Sequence, residues 1–244
     1  MAFSQVTPVI GQQQQGFLNV IDVVQKEQLG TVISCVDNYW GAGEFMYVSF
    51  PAGAAVTQGQ VMVMLGYGST SAQLLSASVA PITANTGRGI GIAINPVANL
   101  AVAQFGWVQI SGAAVVKAVA SVAAGVSFGI DTAVAGSVNA VSAGRQVLNA
   151  VSVAPATTTV VKSAVTISGS TKVVAQNVDG WVPGMLITGT GITGGTTIVS
   201  IDPDNRTIVL SAVATAGGTT TLTVTYTGFI VAMLQRAFIQ GQIV

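Results

Sequence analysis

Two carboxylates on either side of one turn are an arrangement that acid–base catalysis could use. Asp37 and Glu44 flank such a turn, in the stretch Leu29–Phe50, LGTVISCVDNYWGAGEFMYVSF. The chain has no histidine, the commonest general base and metal ligand, and no second cluster of acids supports the pair. The turn reading therefore takes precedence. Asp37 starts the turn by accepting from nearby backbone N–H groups, and Glu44 is expected to pair with an Arg or Lys of a neighbouring subunit. Asp202, Asp204 and Asn205 offer oxygen ligands, but they lack the full calcium loop and its bidentate glutamate, so they read as a hairpin turn. Gly87-Arg88-Gly89-Ile90-Gly91 resembles a phosphate-binding loop only in its glycines. No G-K-[ST] follows and no helix signal opens after it. Arg88 stands alone in a long uncharged region and is expected to grip a carboxylate of another subunit through its two-pronged guanidinium.

The single cysteine, Cys35, excludes an intrachain disulfide and a cysteine zinc site. Lying in an apolar strand pattern, it reads as a small buried hydrophobe. Trp107 is either a stacking platform for a ligand or an anchor in a core or interface, and the second reading is preferred. Trp40, inside the turn, is the better interface candidate, and Trp181 is expected to pack its own module. No catalytic, cofactor-binding or metal-binding residue is assigned.

Composition narrows the function classes. Charged residues make up 7% of the 244, against about 25% in ordinary soluble domains. There is no charge between Phe45 and Gly87, nor between Gly89 and Val116. The second gap is long enough to span a membrane, but Asn95, Pro96, Asn99, Gln104, Gln109 and Ser111 interrupt it. Its glycines and β-branched residues favour strands, and no membrane segment or secretory signal is expected. The net charge of zero lacks the clustered Lys and Arg excess that nucleic acid requires. A chain this poor in charge is expected to cover apolar surface by assembly.

The elements that must position these residues are strands. Short apolar segments broken by turn residues recur at Thr31–Val36, Phe45–Phe50, Gln60–Leu65, Gln73–Val79, Ile90–Ile94, Trp107–Ile110, Ala114–Ala118, Val126–Ile130, Ser137–Val141 and Arg145–Val153. That spacing predicts an all-β sandwich or barrel, with alanine-rich Val97–Phe105 open to a helical turn and Phe17–Gln28 left undecided. Residues 1–28 read as an N-terminal arm, in which Phe3, Val6, Val9 and Ile10 favour ordering against a neighbouring subunit. After Pro155 the composition shifts, and Ala156–Val161 reads as a connector. From Ser163 the alternation is cleaner: Thr221, Thr223 and Thr225 take one face, Leu222, Val224 and Tyr226 the other. Phe229–Leu234 returns to dense apolar character. Residues 163–227 are therefore expected to form an inserted Ig-like or small β-sandwich module within a domain made of 29–162 and 228–244.

Two blocks carry a resemblance. Asp37…Gly43-Glu44-Phe45 and Gly106-Trp107-Val108-Gln109-Ile110-Ser111-Gly112, followed by a valine-rich strand, resemble the capsid decoration (cement) proteins of tailed bacteriophages. The resemblance covers about residues 29–153 with 228–234. It implies a non-enzymatic virion protein, made in the host cytoplasm and bound to the capsid exterior. Its expected partners are the major capsid protein and, in a homotrimer, its own copies. The residues expected at contacts are Phe3, Val9, Ile10, Asp37, Trp40, Glu44, Arg88 and Trp107. The alternative within virion structure is a head-fibre or tail protein touching the host through the second module. The alternative outside it is a polysaccharide hydrolase or lyase, which would need a carboxylate pair in a cleft.

Overall fold

β-branched and apolar residues alternating with glycine-rich turns give a chain that is almost entirely strand. A computed structural model describes residues 3–5, 18, 20–37, 41–65, 70–74, 87–119, 122–141 and 145–240, without the side chains of 3–5, 37 and 74. No α-helix occurs among them. The strands are β1 (Phe3–Gln5), β2 (Val32–Asp37), β3 (Gly41–Phe50), β4 (Val61–Met64), β5 (Ala72–Leu74), β6 (Gly87–Ala93), β7 (Gln104–Lys117), β8 (Phe128–Ile130) and β9 (Val138–Ala140). They continue with β10 (Val147–Ala154), β11 (Thr159–Thr166), β12 (Lys172–Ala175), β13 (Leu186–Gly189), β14 (Ile198–Asp202), β15 (Thr207–Leu210), β16 (Gly218–Thr225) and β17 (Phe229–Gln240). The all-β expectation holds. The stretch Val97–Phe105 contains no helical turn: Val97 bridges Val56, and β7 begins at Gln104.

The chain divides into two compact units, one of Phe3–Pro155 with Phe229–Val244 and one of Ala156–Gly228. The second unit begins at Ala156 rather than Ser163, because β11 already pairs with β16 from Thr159. The supposed connector thus supplies part of that strand. The chain leaves the larger unit after β10 and returns as β17. These two strands pair with each other, Ala154 opposite Val231.

In the larger unit the sheet order is β1-β2-β3-β7-β17-β6-β4-β5, with β10 on β17 and β6 also on β7. β5 meets β3 again through the Ser49–Ser71 bridge and the Ser49 N–H to Thr70 carbonyl bond of 2.9 Å. Strands β3, β7, β6, β4 and β5 therefore form a closed circuit, and all five feed one core: Val48 and Phe50, Met62 and Met64, Ala72, Ala93, Val108 and Ile110. A second core on the other face takes Val61 and Val63 of β4, Ile90 and Ile92 of β6, Ala114 and Val116 of β7, and Ile230, Ala232 and Leu234 of β17. The run VMVM is buried at every position because valines face one core and methionines the other. Much of the described uncharged sequence after Phe45 is thus buried within its own chain.

The segments expected as two strands at Trp107–Ile110 and Ala114–Ala118 are one, β7. What resembled a turn is continuous strand: the pairing with β3 skips Ile110, and two residues on Gly112 has φ +91°. A Cβ there would stand 2.3 Å from the Ala42 carbonyl oxygen and 2.8 Å from the Gly43 Cα. Opposite it, Gly43 also has no room for a side chain, with the Ser111 carbonyl 2.9 Å from its ideal Cβ position. The β3–β7 register shifts between Glu44 and Phe45. In β17, Arg236 has φ +49°, and the paired β10 carries its own irregularity beside Asn149, at φ +56°. Bulges bend and twist the strands that carry them. Here they fall on three neighbouring strands, β7, β17 and β10.

In the smaller unit six strands run β13-β16-β11-β12-β15-β14, all antiparallel. The ends of this path join: Leu186 bridges Thr197, and Ile187 N–H donates to the Thr196 carbonyl at 2.9 Å. The six strands of the module thus form one sheet whose two ends meet. Closure removes free edges. Leu222, Val224 and Tyr226 point inward with Trp181, Met185 and Ile187, all fully buried. Thr221 is exposed on the outer side, as the alternation requires. The Tyr226 hydroxyl donates to the Gly180 carbonyl at 3.1 Å.

Candidate interaction surface

The expected contact residues separate into three groups. Val9, Ile10 and Trp40 lie outside the described residues. Phe3 and Asp37 are placed by backbone alone: β1 pairs with β2, Phe3 opposite Asp37, and Asp37 pairs onward with Gly41 at the turn between β2 and β3. Glu44, Arg88 and Trp107 have side chains to compare with expectation.

Glu44 does not await a neighbouring subunit. Its two carboxylate oxygens accept from Nε and Nη2 of Arg236 in the same chain, both at 2.9 Å. The β3–β7–β17 register brings the pair together across the bulged line, and the positive φ of Arg236 belongs to the same irregularity. The bidentate hydrogen bonds, followed by the guanidinium charge, hold the Glu44 carboxyl below its ordinary 4.5 and raise Arg236 further. The folded-state pKa of Glu44 is depressed, so its stabilisation is complete above the ordinary value and is lost as pH falls through the folded one. Glu44→Gln is expected to lower the urea midpoint slightly at pH 7 and to leave it unchanged at pH 2. The arginine is well exposed and solvent screens the pair. A loss persisting at pH 2 would mean that the glutamate acts through shape rather than charge.

Trp107 is not a surface anchor. It is 2% exposed and packs its ring 5.1 Å from that of Tyr47, which it opposes across β3 and β7. Arg88 lies in β6 opposite Ile239 of β17, so the glycine-rich stretch is a strand and not a phosphate loop. Asp202 accepts the Asn205 N–H at 3.1 Å and its side-chain amide at 2.8 Å, closing the β14–β15 hairpin. Trp181 packs within its own module.

Sequence reasoning left residues 17–28 undecided, and the surface that stands out begins there. The described residues of this segment form no strand, yet several of them are pinned. Asp22 and Phe105 exchange backbone hydrogen bonds, both 2.8 Å. The buried Tyr47 hydroxyl donates to Asp22 Oδ2 at 3.1 Å and accepts the Lys26 N–H at 3.3 Å. Lys26 Nζ lies 3.3 Å from Asp22 Oδ1. Ile21 packs beside Gly106, where a Cβ would come within 2.6 Å of its Cδ1. Burial, the largest of several causes, pushes the Tyr47 phenol up to about 12, so it stays a donor to Asp22 at any ordinary pH. Tyr47→Phe is expected to cost about 1.5 kcal/mol, the loss of a hydrogen bond to a charged acceptor. Amide exchange at residues 22–28 should accelerate more than in β7. Uniform acceleration through both would show that the phenol supports the whole core instead.

What this pinning presents outward includes four valines beside the exposed Gln25, Lys26 and Gln28. Val20, Val23, Val24 and, from the loop before β7, Val102 are 47%, 59%, 69% and 53% exposed. The Asp22–Phe105 bridge fixes the first three beside the chain leading from the fourth. Asp22 and Lys26 pair within the segment, which also carries Glu27. The sequence signal was weak: Val20, Val23 and Val24 follow neither a strand nor a helix period.

Among the described residues no group of three or more His, Cys, Asp or Glu could hold a metal ion. No helix among them is long and apolar enough to cross a membrane. Compared with known proteins, the chain matches no family model, no curated protein and no solved structure.

Proposed function

We propose that this chain is a non-enzymatic virion structural protein. It binds the outer surface of an assembled phage capsid as a homotrimer and bridges neighbouring capsid subunits. The observation that carries the reading is the valine surface of Val20, Val23, Val24 and Val102, held on a backbone locked by the Tyr47–Asp22–Lys26 network. Exposed valines on a hydrogen-bonded backbone suit burial against a partner.

Magnitudes explain why it would act as an oligomer. Covering four half-exposed valines is worth roughly 4 kcal/mol, while association costs about 4–15 kcal/mol in lost freedom. One copy of the patch therefore binds weakly. Three copies held together bind by effective concentration. Binding to assembled shells and not to free subunits shifts the assembly equilibrium by mass action.

The test is cosedimentation of the purified protein with assembled shells of its phage, followed by localisation in electron cryomicrographs. Saturation at hundreds of copies on the shell face is expected, and Val23→Asp with Val24→Asp should weaken binding at least 100-fold without unfolding the chain. Density at a few tail or fibre positions would replace this reading with the receptor-binding one. Replacing residues 156–228 by a short Gly/Ser linker should leave shell binding intact. Loss of binding by a folded, shortened protein would move the contact into the module.

A further inference from the structure

Lys162 faces the interior of the smaller unit. Along β11 the side chains alternate: Val160, Ala164 and Thr166 are buried, while Val161 and Val165 are exposed. Lys162 falls on the buried parity and is itself partly buried. Holding a cation among apolar groups is costly. Its Nζ lies 5.8 Å from the ring centroid of the fully buried Trp181 and donates to the side-chain carbonyl Oδ1 of Asn177. Burial pulls the Lys162 ammonium below its ordinary 10.5, and the Asp179 charge opposes this. Desolvation of this kind favours the neutral amine, which is the nucleophilic form.

The fold sets the amine and the amide against each other. β11 and β12 run antiparallel with Ala164 opposite Ala175, and the Gln176 N–H extends the ladder to the Ser163 carbonyl at 2.9 Å. One step further along that register puts Asn177 beside Lys162. The turn that follows is anchored twice. The Trp181 N–H donates to the Val178 carbonyl at 3.1 Å, and the Tyr226 hydroxyl holds the Gly180 carbonyl at 3.1 Å. The turn aims the Asp179 N–H at Asn177 Oδ1, 3.3 Å away. Two N–H donors thus converge on one amide carbonyl oxygen, where negative charge would develop if the carbon were attacked.

We propose that Lys162 and Asn177 join in an intramolecular amide bond, formed once by the folded module, with Asp179 carrying the protons. The Asp179 carboxylate takes a proton from the Lys162 ammonium, and the freed amine attacks Asn177 Cγ. Oδ1 takes the negative charge, facing the Asp179 N–H. The carboxyl then gives its proton to Nδ2 and takes one from the attacking nitrogen. The Cγ–Nδ2 bond breaks, the carbonyl re-forms, and ammonia leaves, removing the carboxyl's proton as ammonium. Nothing is oxidised or reduced. The product is a covalent staple between β11 and the end of β12, and it is independent of capsid binding.

The intact mass of the unaltered full chain, measured under denaturing conditions, tests this directly. A mass about 17 Da below that of the sequence is expected, one ammonia lost per chain. Tryptic digestion should yield a branched peptide joining Lys162 to Asn177, with no cut after Lys162. Full mass in protein kept folded for days would overturn the proposal. Lys162→Arg protein should show its full mass. Ammonia loss persisting there would point to cyclisation of an asparagine onto its own backbone, and would overturn the staple. Asp179→Ala protein that is folded by circular dichroism should be isolated at full mass. If it is isolated already joined, the carboxyl's part is overturned while the bond stands.

Discussion

Replacing Gly112 by valine is expected to destabilise the larger unit by about 4 kcal/mol. Two independent costs fall on one position. The backbone holds φ at +91°, where a β-branched residue is a genuine outlier; strain of this kind costs about 1–3 kcal/mol. The first side-chain carbon would also stand 2.3 Å from the Ala42 carbonyl oxygen. That neighbour is backbone of β3 and has no rotamer to change. Forcing it aside breaks the pairing of Gly43 with Gly112, and overpacking adds about 1–3 kcal/mol. Together the loss is about 4 kcal/mol, against roughly 5–15 kcal/mol for a whole domain. Gly125→Ala is the control: φ is +78° but nothing lies within 4 Å of the added carbon, so only the strain of about 1–2 kcal/mol remains. Urea melts followed by circular dichroism compare the two. Equal losses would remove the packing argument and leave φ alone.

Trp181→Ala should separate the two units thermally. The indole is fully buried, beneath Lys162, whose Nζ lies 5.8 Å from the ring centroid. Truncating a buried aromatic of this size costs about 3–5 kcal/mol. A module the size of Ala156–Gly228 carries roughly 4–11 kcal/mol in all, so about half or more of its stability goes. Calorimetry should show a new low-temperature transition while the main one stays in place. Amide exchange should accelerate in β11 and β16 but not in β7. A single transition moving as a whole would show that the units unfold together. Trp181→Phe is expected to be far milder. The indole Nε1 is buried without a hydrogen-bond partner, and deleting an unsatisfied donor offsets part of the lost packing.

Local signals in the sequence were legible where the physics is local. The hairpin at Asp202 and Asn205 follows from side chains that bond their own backbone, and the inward set of Leu222, Val224 and Tyr226 follows from a period of two. The return of β17 was visible in Phe229–Leu234 because a strand buried on both faces loses alternation. Gly112 misled because a strand glycine beside a bulge and a turn glycine can share the same sign of φ, and only the partner strand distinguishes them. Glu44 was read as awaiting another subunit because its true partner, Arg236, is remote in sequence. That pair exists only once three strands take their register. Trp107 was placed at a contact although its strand has neighbours on both sides. The valine surface was missed because hydrogen bonds to Tyr47 and Phe105, rather than any periodic pattern, hold residues 20–28 in place.

The junction at the smaller unit has a consequence for how such a chain can change over generations. β10 and β17 arrive side by side, Ala154 opposite Val231. Within the smaller unit β11 and β16 also lie side by side, Thr159 opposite Thr225. Cargo enters and leaves through neighbouring strands, so its removal leaves a hairpin that a short turn can close. Any folded domain whose own ends lie one strand spacing apart, about 5 Å, meets the same geometric requirement. The joint therefore works as a socket: epitopes, enzymes or affinity handles can be grafted there in frame, and recombination can trade one passenger for another while the scaffold keeps its register.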